Sequence, residues 1–216
     1  MDFKGGGDAD DYFRLEDIGD YTHVEEIFPI GVATLFVINM VITLGRMGVA
    51  GGKSLNAYFD NFGLEGILTN TSLVVLLFQL ARFGYTSFYA SGGRPWSPLV
   101  FVCVLVVMQM LHDLIFYYGV VNQLPFGKNE MIDVVKKYSA ENGSRALAGH
   151  GAFIIAVAIL AMLFKEKSLL FLVTMGVVSL YILPLALATM GPKPPPPPPP
   201  PEKKAGDMRG WNGPRY

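Results

Sequence analysis

Hydrophobic and polar positions are laid out in long blocks. Apolar blocks occupy residues 27–45, 66–88, 99–122, 146–164 and 168–190, and most charged side chains collect between them. At about 1.5 Å rise per residue, each block can cross a hydrocarbon core of about 30 Å as a helix. The pattern predicts an all-α integral membrane bundle of about five transmembrane helices. Gly48, Gly51 and Gly52 loosen the first connection, and Gly92, Gly93, Pro95 and Pro98 mark the second turn. Lys165, Glu166 and Lys167 form a tight hairpin before the last block, where Pro184 is expected to kink the helix.

A different period lies between the third and fourth blocks. Pro125-Phe126-Gly127 turns the chain and Asn129 suits an N-cap, with Glu130 in the first turn. Met131, Val134, Val135 and Tyr138 form an apolar face, while Asp133 and Lys137 stand four apart, and Asn142-Gly143 ends the run. This predicts a short amphipathic helix over residues 130–141, lying on the membrane surface. The plainer expectation is a connecting helix packed on the bundle.

Composition agrees with lipid rather than water as the solvent. Hydrophobic residues make up 51% and charged residues 16%, where soluble domains carry nearer a quarter charged. The net charge of −1 conceals two unlike tails. Residues 1–26 hold nine acids against Lys4 and Arg14, and residues 191–216 hold five bases against Glu202 and Asp207. The acidic start is wrong for a cleavable signal peptide, so the first span is expected to act as its own anchor. Counting Lys and Arg on alternate sides puts six with the N-terminal tail and eleven with the C-terminal tail. The N-terminus is therefore expected outside or in a lumen, and the C-terminus in the cytosol.

Polar residues inside the spans are the candidate chemistry. Counted from the outer end of each span, Asn39, Gln79, Gln109, His112, Asp113 and His150 fall about 13–21 Å deep. They are expected to form one intramembrane polar layer. Asp113 is the costliest, at about 2.5–3.5 kcal/mol if unpaired, and His150 lies at matching depth. A proton or ion path through these residues is one reading, and interhelical hydrogen bonding is the other. Gln109 and Asp113 share a helix face, whereas His112 is expected to point about 100° away from Asp113. Arg82 is expected to snorkel toward the outer surface. Ala148, Ala152 and Ala156 repeat every four residues, which suits close helix packing, by default within the bundle and otherwise between copies in a homo-oligomer. No spacing indicates a metal site, no span contains a lysine, and no nucleophile elbow, P-loop or dinucleotide fingerprint occurs. No cofactor and no enzymatic activity are expected.

The tails suggest partners. Residues 194–201 are eight consecutive prolines, a polyproline II rod about 25 Å long. Lys193, Pro196 and Pro199 fit a basic-x-x-Pro-x-x-Pro register, and Pro198, Pro201 and Lys203 fit the reverse one, as in SH3-type ligands. With Lys204, Arg209, Trp211 and Arg215, the tail mixes bases and aromatics suited to an acidic protein surface or anionic lipid. The lipid bilayer and a protein are the expected partners, and nucleic acid is not. The acidic N-terminal tail, with Gly5-Gly6-Gly7, is expected to be disordered at its start.

The run His112-Asp113-Leu114-Ile115-Phe116-Tyr117-Tyr118, then Pro125-x-Gly127-x-Asn129-x-Met131-Ile132-Asp133 and Tyr138, resembles uncharacterised multi-span membrane proteins of large DNA viruses of algae and protists. The resemblance covers about residues 108–150 and leaves out both tails. It implies residence in an internal virion membrane or in host membranes during assembly, with a virion or capsid component as partner, and carries no activity. From sequence, the first expectation is a structural or assembly membrane protein whose proline-extended tail contacts partners. The alternative is a proton or ion channel, or a proton-coupled transporter, using Asp113, His112 and His150.

Overall fold

The computed structural model describes residues 15–189. Within them the chain is helical and contains no strand. Six α-helices follow one another: α1 (Ile27–Arg46), α2 (Gly52–Phe88), α3 (Pro98–Phe116), α4 (Glu130–Asn142), α5 (Ser144–Phe164) and α6 (Leu169–Ala188). All except α4 are long and apolar enough to cross a membrane, so the protein has five candidate spans.

The helix ends follow from local chemistry. Ser97 accepts from the Val100 amide and Pro98 opens α3, where a missing N–H costs nothing. The Asn129 side chain accepts from the Ile132 amide at 3.0 Å and starts α4. The Ser168 hydroxyl caps α6. The start of α2 takes its cap from elsewhere in the chain: both Glu141 oxygens accept, from the Lys53 amide at 2.9 Å and the Ser54 amide at 2.8 Å. Gly52 sits under that carboxylate, where a Cβ would lie 2.5 Å from Glu141 Oε1.

The second element differs from its expected start near residue 66. It begins at Gly52 and carries Tyr58, Phe59 and Phe62 within the helix. The discontinuity falls at Gly63, whose φ of 41° and ψ of −116° only glycine adopts readily. Pro184, expected to kink the last span, lies within an unbroken α6. At the end of α3 the helix widens into a π turn over Tyr117–Val121, with the Asn122 amide reaching the Tyr117 carbonyl at 2.8 Å.

Helix α1 is central and packs against α2, α5 and α6, while α3 lies against α2 and α5. Phe78, Phe101, Leu105, Ile154 and Ala158 are fully enclosed where α2, α3 and α5 meet. A second apolar cluster joins Ile38 and Ile42 to Phe59, Ile67 and Leu183. The outward faces of α3 and α6 expose Leu99, Ile115, Leu170, Tyr181 and other large apolar residues, as a lipid-facing surface should. Helix α4 buries Ile132 and Val134 and packs chiefly on α2.

The alanine repeat of α5 is split: only Ala156 packs against the core. Ala148 and Ala152 are exposed and Ala156 is half-buried, whereas Ala146, Ala158 and Ala161 are the buried small residues. Four-residue spacing drifts about 40° per step around a 3.6-residue helix, so it cannot by itself say which side meets a neighbour.

Candidate functional site

The expected single polar layer separates into three places. Asn39 donates to its own helix at Leu35 O and across to Ser179 O, both at 3.0 Å, and so joins α1 to α6. Gln79 accepts from Arg82 at 2.9 Å near the opposite end of the bundle from α4. Gln109, His112, Asp113 and His150 come together between α3 and α5.

Asp113 is the centre of that group. Its Oδ1 takes the Gln109 amide at 2.8 Å, one helical turn back on the same face. His112 Nδ1 lies 3.3 Å from the same oxygen. The expected divergence of His112 is overcome because the ring folds back along the helix and stacks on Phe116, with centroids 5.8 Å apart and planes 11° apart. His150 Nδ1, from α5, lies 2.9 Å from Oδ2. Its ring stacks on Tyr138 of α4 at 5.9 Å and 12°. Burial raises the Tyr138 hydroxyl above the usual phenol range, which keeps it neutral.

A cleft of about 270 Å³ opens beside this group. Asp113, His150, Ser139 and Ser144 are its polar lining, and Phe116, Tyr117, Val121, Val135 and Leu147 are among its apolar walls. The π turn supplies part of the wall, a position where such turns often serve function. Asp113 is 13% exposed, His112 27% and His150 44%, so the carboxylate is the most buried of the three; Asp113 and His150 line the cleft and His112 lies behind them. With each ring carrying a proton on Nδ1, the Asp113 carboxylate accepts from both imidazoles. Among the described residues no three His, Cys, Asp or Glu side chains gather as a metal site.

A second polar cluster lies at the opposite end, and sequence reasoning missed it. Arg82 does not snorkel: it is 0% exposed. It donates to Glu26 Oε2 at 2.8 Å, to the His23 carbonyl at 2.7 Å, to the Asp20 carbonyl and to Gln79. Lys165 pairs with the other Glu26 oxygen at 2.7 Å and also reaches the Asp17 carbonyl. Residues 15–26 therefore fold back over the bundle. Trp96 donates to Leu15 O at 3.1 Å, Thr86 donates to Gly19 O at 2.9 Å, and Ile18 is fully buried. The usable signal was topological, since Glu26, Arg82 and Lys165 all fall toward the same end of the first, second and fourth spans.

The remaining expected residues, Lys193, Pro196, Pro199, Pro201, Lys203, Lys204, Arg209, Trp211 and Arg215, lie outside the described residues. No protein family, curated protein or solved structure matches this chain. The class that fold and site define is a helical bundle with five candidate membrane spans and a carboxylate–bis-imidazole cleft.

Proposed function

We propose that the protein is a proton-coupled membrane carrier whose proton site is the His112–Asp113–His150 group. The observation that carries this reading is the Asp113 carboxylate within hydrogen-bonding reach of both imidazoles at the head of an open cleft. A lone carboxylate in a span is costly, and two imidazoles as partners offset that cost while adding two sites for protons. Access from one side favours a carrier over an open channel. Toward the other end, Phe78, Phe101, Leu105, Ile154 and Ala158 fill the bundle, and the Glu26–Arg82–Lys165 cluster lies beyond them. With the orientation read from the basic residues, the cleft opens on the cytosolic side. Placement in an internal virion or host membrane rests on the sequence resemblance of residues 108–150 alone.

Proton uptake into liposomes reconstituted with the purified protein tests this reading. Asp113→Asn keeps the shape and removes the charge. Uptake is expected from the unaltered protein and at least tenfold less from the variant. No uptake from folded, reconstituted protein, or equal uptake by both, would refute the carrier reading. A structural or assembly role, the second reading, rests on the eight-proline run and its basic tip. Deleting residues 192–216 would then leave insertion intact and remove a crosslinked partner.

A further inference from the structure

The carboxylate in the cleft has no permanently charged partner. Asp113 accepts from Gln109 at 2.8 Å, and accepting a hydrogen bond leaves its charge in place. Its ion-pair partners among the described residues are His112 and His150, which carry charge only when protonated. None of the residues lining the cleft is a lysine or arginine. The bases carried by α4 and α5 do not replace one. Lys136 donates to the Leu124 carbonyl and lies over the Phe126 ring, while Lys137 and Arg145 are exposed. The other ionisable groups packed around the cleft are engaged or neutral. Glu141 of α4 is held by the α2 amides, Asp60 of α2 is paired with Arg46, and burial keeps the Tyr138 phenol neutral. With both rings neutral, the cleft therefore holds one negative charge against apolar walls. Such a charge needs a counter-charge. A proton on an imidazole supplies one, and a cation entering the cleft supplies another.

We propose that the cleft binds a small organic cation in exchange for a proton. This names a substrate class for the proton-coupled carrier and rests on that reading for its coupling to transport. The lining selects the class. Phe116, Tyr117 and Tyr118 offer aromatic rings, which attract ammonium groups as well as apolar ones, and Val121, Val135 and Leu147 are aliphatic. A bare metal ion is a poorer match. Calcium, for example, takes about six to eight oxygens, whereas Asp113, Ser139 and Ser144 are the carboxylate and hydroxyl side chains here besides the phenols. A volume of about 270 Å³ lies just under the range of about 300–1,000 Å³ usual for small-molecule sites, so the cation is smaller than a typical drug. Its charged group lies against Asp113 and its apolar part against the rings. A proton on His150 fills the same need and repels the cation. Entry of the cation therefore sends a proton from an imidazole to water, and the two loaded states exclude one another.

The test is titration calorimetry of the full chain in neutral detergent micelles with phenyltrimethylammonium, whose charge does not change with pH. Repeating the titration in buffers of different ionisation enthalpy counts the protons released. Binding is expected to weaken roughly tenfold from about pH 8 to about pH 5.5, the range in which imidazoles change charge, and each cation should release up to about one proton near pH 6.5. The neutral alcohol 2-phenylethanol, of similar size, should bind at least about tenfold more weakly. Asp113→Asn should lose both the preference for the cation and the proton release. The acidic N-terminal residues are the same in the variant, and ordinary carboxylates hold no proton at that pH, so neither signal comes from them. Equal binding of cation and alcohol by the unaltered protein would overturn the inference, as would binding without proton release or a preference kept by Asp113→Asn. Should that variant not fold, proton release by the unaltered protein decides alone. Proton uptake into liposomes without cation binding would remove the substrate class and leave the carrier. Cation binding with proton release, but no uptake, would refute the carrier and leave the cation site.

Discussion

Replacing Arg82 by methionine tests the outer cluster most directly. The guanidinium is wholly enclosed and its Glu26 partner is 3% exposed, so neither group can turn to water when the other is lost. The variant leaves the Glu26 carboxylate with Lys165 alone and removes the donor to His23 O, Asp20 O and Gln79. Glu26 keeps its pair with Lys165, so the loss is that of the second ion pair and of the guanidinium hydrogen bonds. Leaving a buried charge wholly uncompensated costs about 3–5 kcal/mol; with Lys165 still in place a smaller loss of about 2–3 kcal/mol is expected here. The pair Glu26→Gln/Arg82→Met should recover a large part of it. No buried carboxylate then remains, and Lys165, at 25% exposed, can be solvated. The assay is reversible unfolding by dodecyl sulfate titration in mixed micelles, with Glu26→Gln completing the double-mutant cycle. A cost of Arg82→Met below about 1 kcal/mol, the range of an exposed pair, would show that the cluster is solvated and the reasoning wrong.

Two further outcomes are expected. Ser54, through its hydroxyl and amide, and the Lys53 amide hold the Glu141 carboxyl below the usual glutamate range. A depressed folded value means that its stabilising contribution is complete above that range and is lost as pH falls through it. Glu141→Ala should cost about 0.5–1 kcal/mol at neutral pH, as a helix cap does, and remove this acid-side loss; unfolding titrations at pH 7 and pH 3.5 check both. Asn39→Ala removes a hydrogen bond between α1 and α6 and should cost roughly 0.6 kcal/mol, the usual worth of such a bond in a bundle. A cost above about 2 kcal/mol in the same assay would mean that Asn39 does more than join two helices.

Much of the architecture was legible in the order of residues. A run of about 20 uncharged apolar residues has one low-cost home, and within lipid its backbone must close its own hydrogen bonds as a helix. That is why five candidate spans and the α4 start at Asn129 could be read directly. Pairing was less legible. Asp113 and His150 share a depth in their spans, and depth alone brought them to the same level. Rotation about each helix axis is what sets them 2.9 Å apart, and rotation is decided by packing. The same freedom explains the failures. Asn39 shares that depth yet joins α6, Gln79 sits with Arg82 toward the opposite end, and Ala148 and Ala152 point outward. Arg82 looked like a residue bound for the surface because its partners are scattered through the sequence.

By itself, then, the sequence determined the helical class, the number of candidate spans and which polar residues lie deep, because hydrophobicity and rise per residue act locally. The tertiary structure alone decided which of those polar residues meet. It gathered His112 and His150 on Asp113 beside one cleft and folded residues 15–26 onto Arg82 and Lys165. Contact between distant residues depends on how helices turn toward one another, and that is set by the packing of the whole bundle.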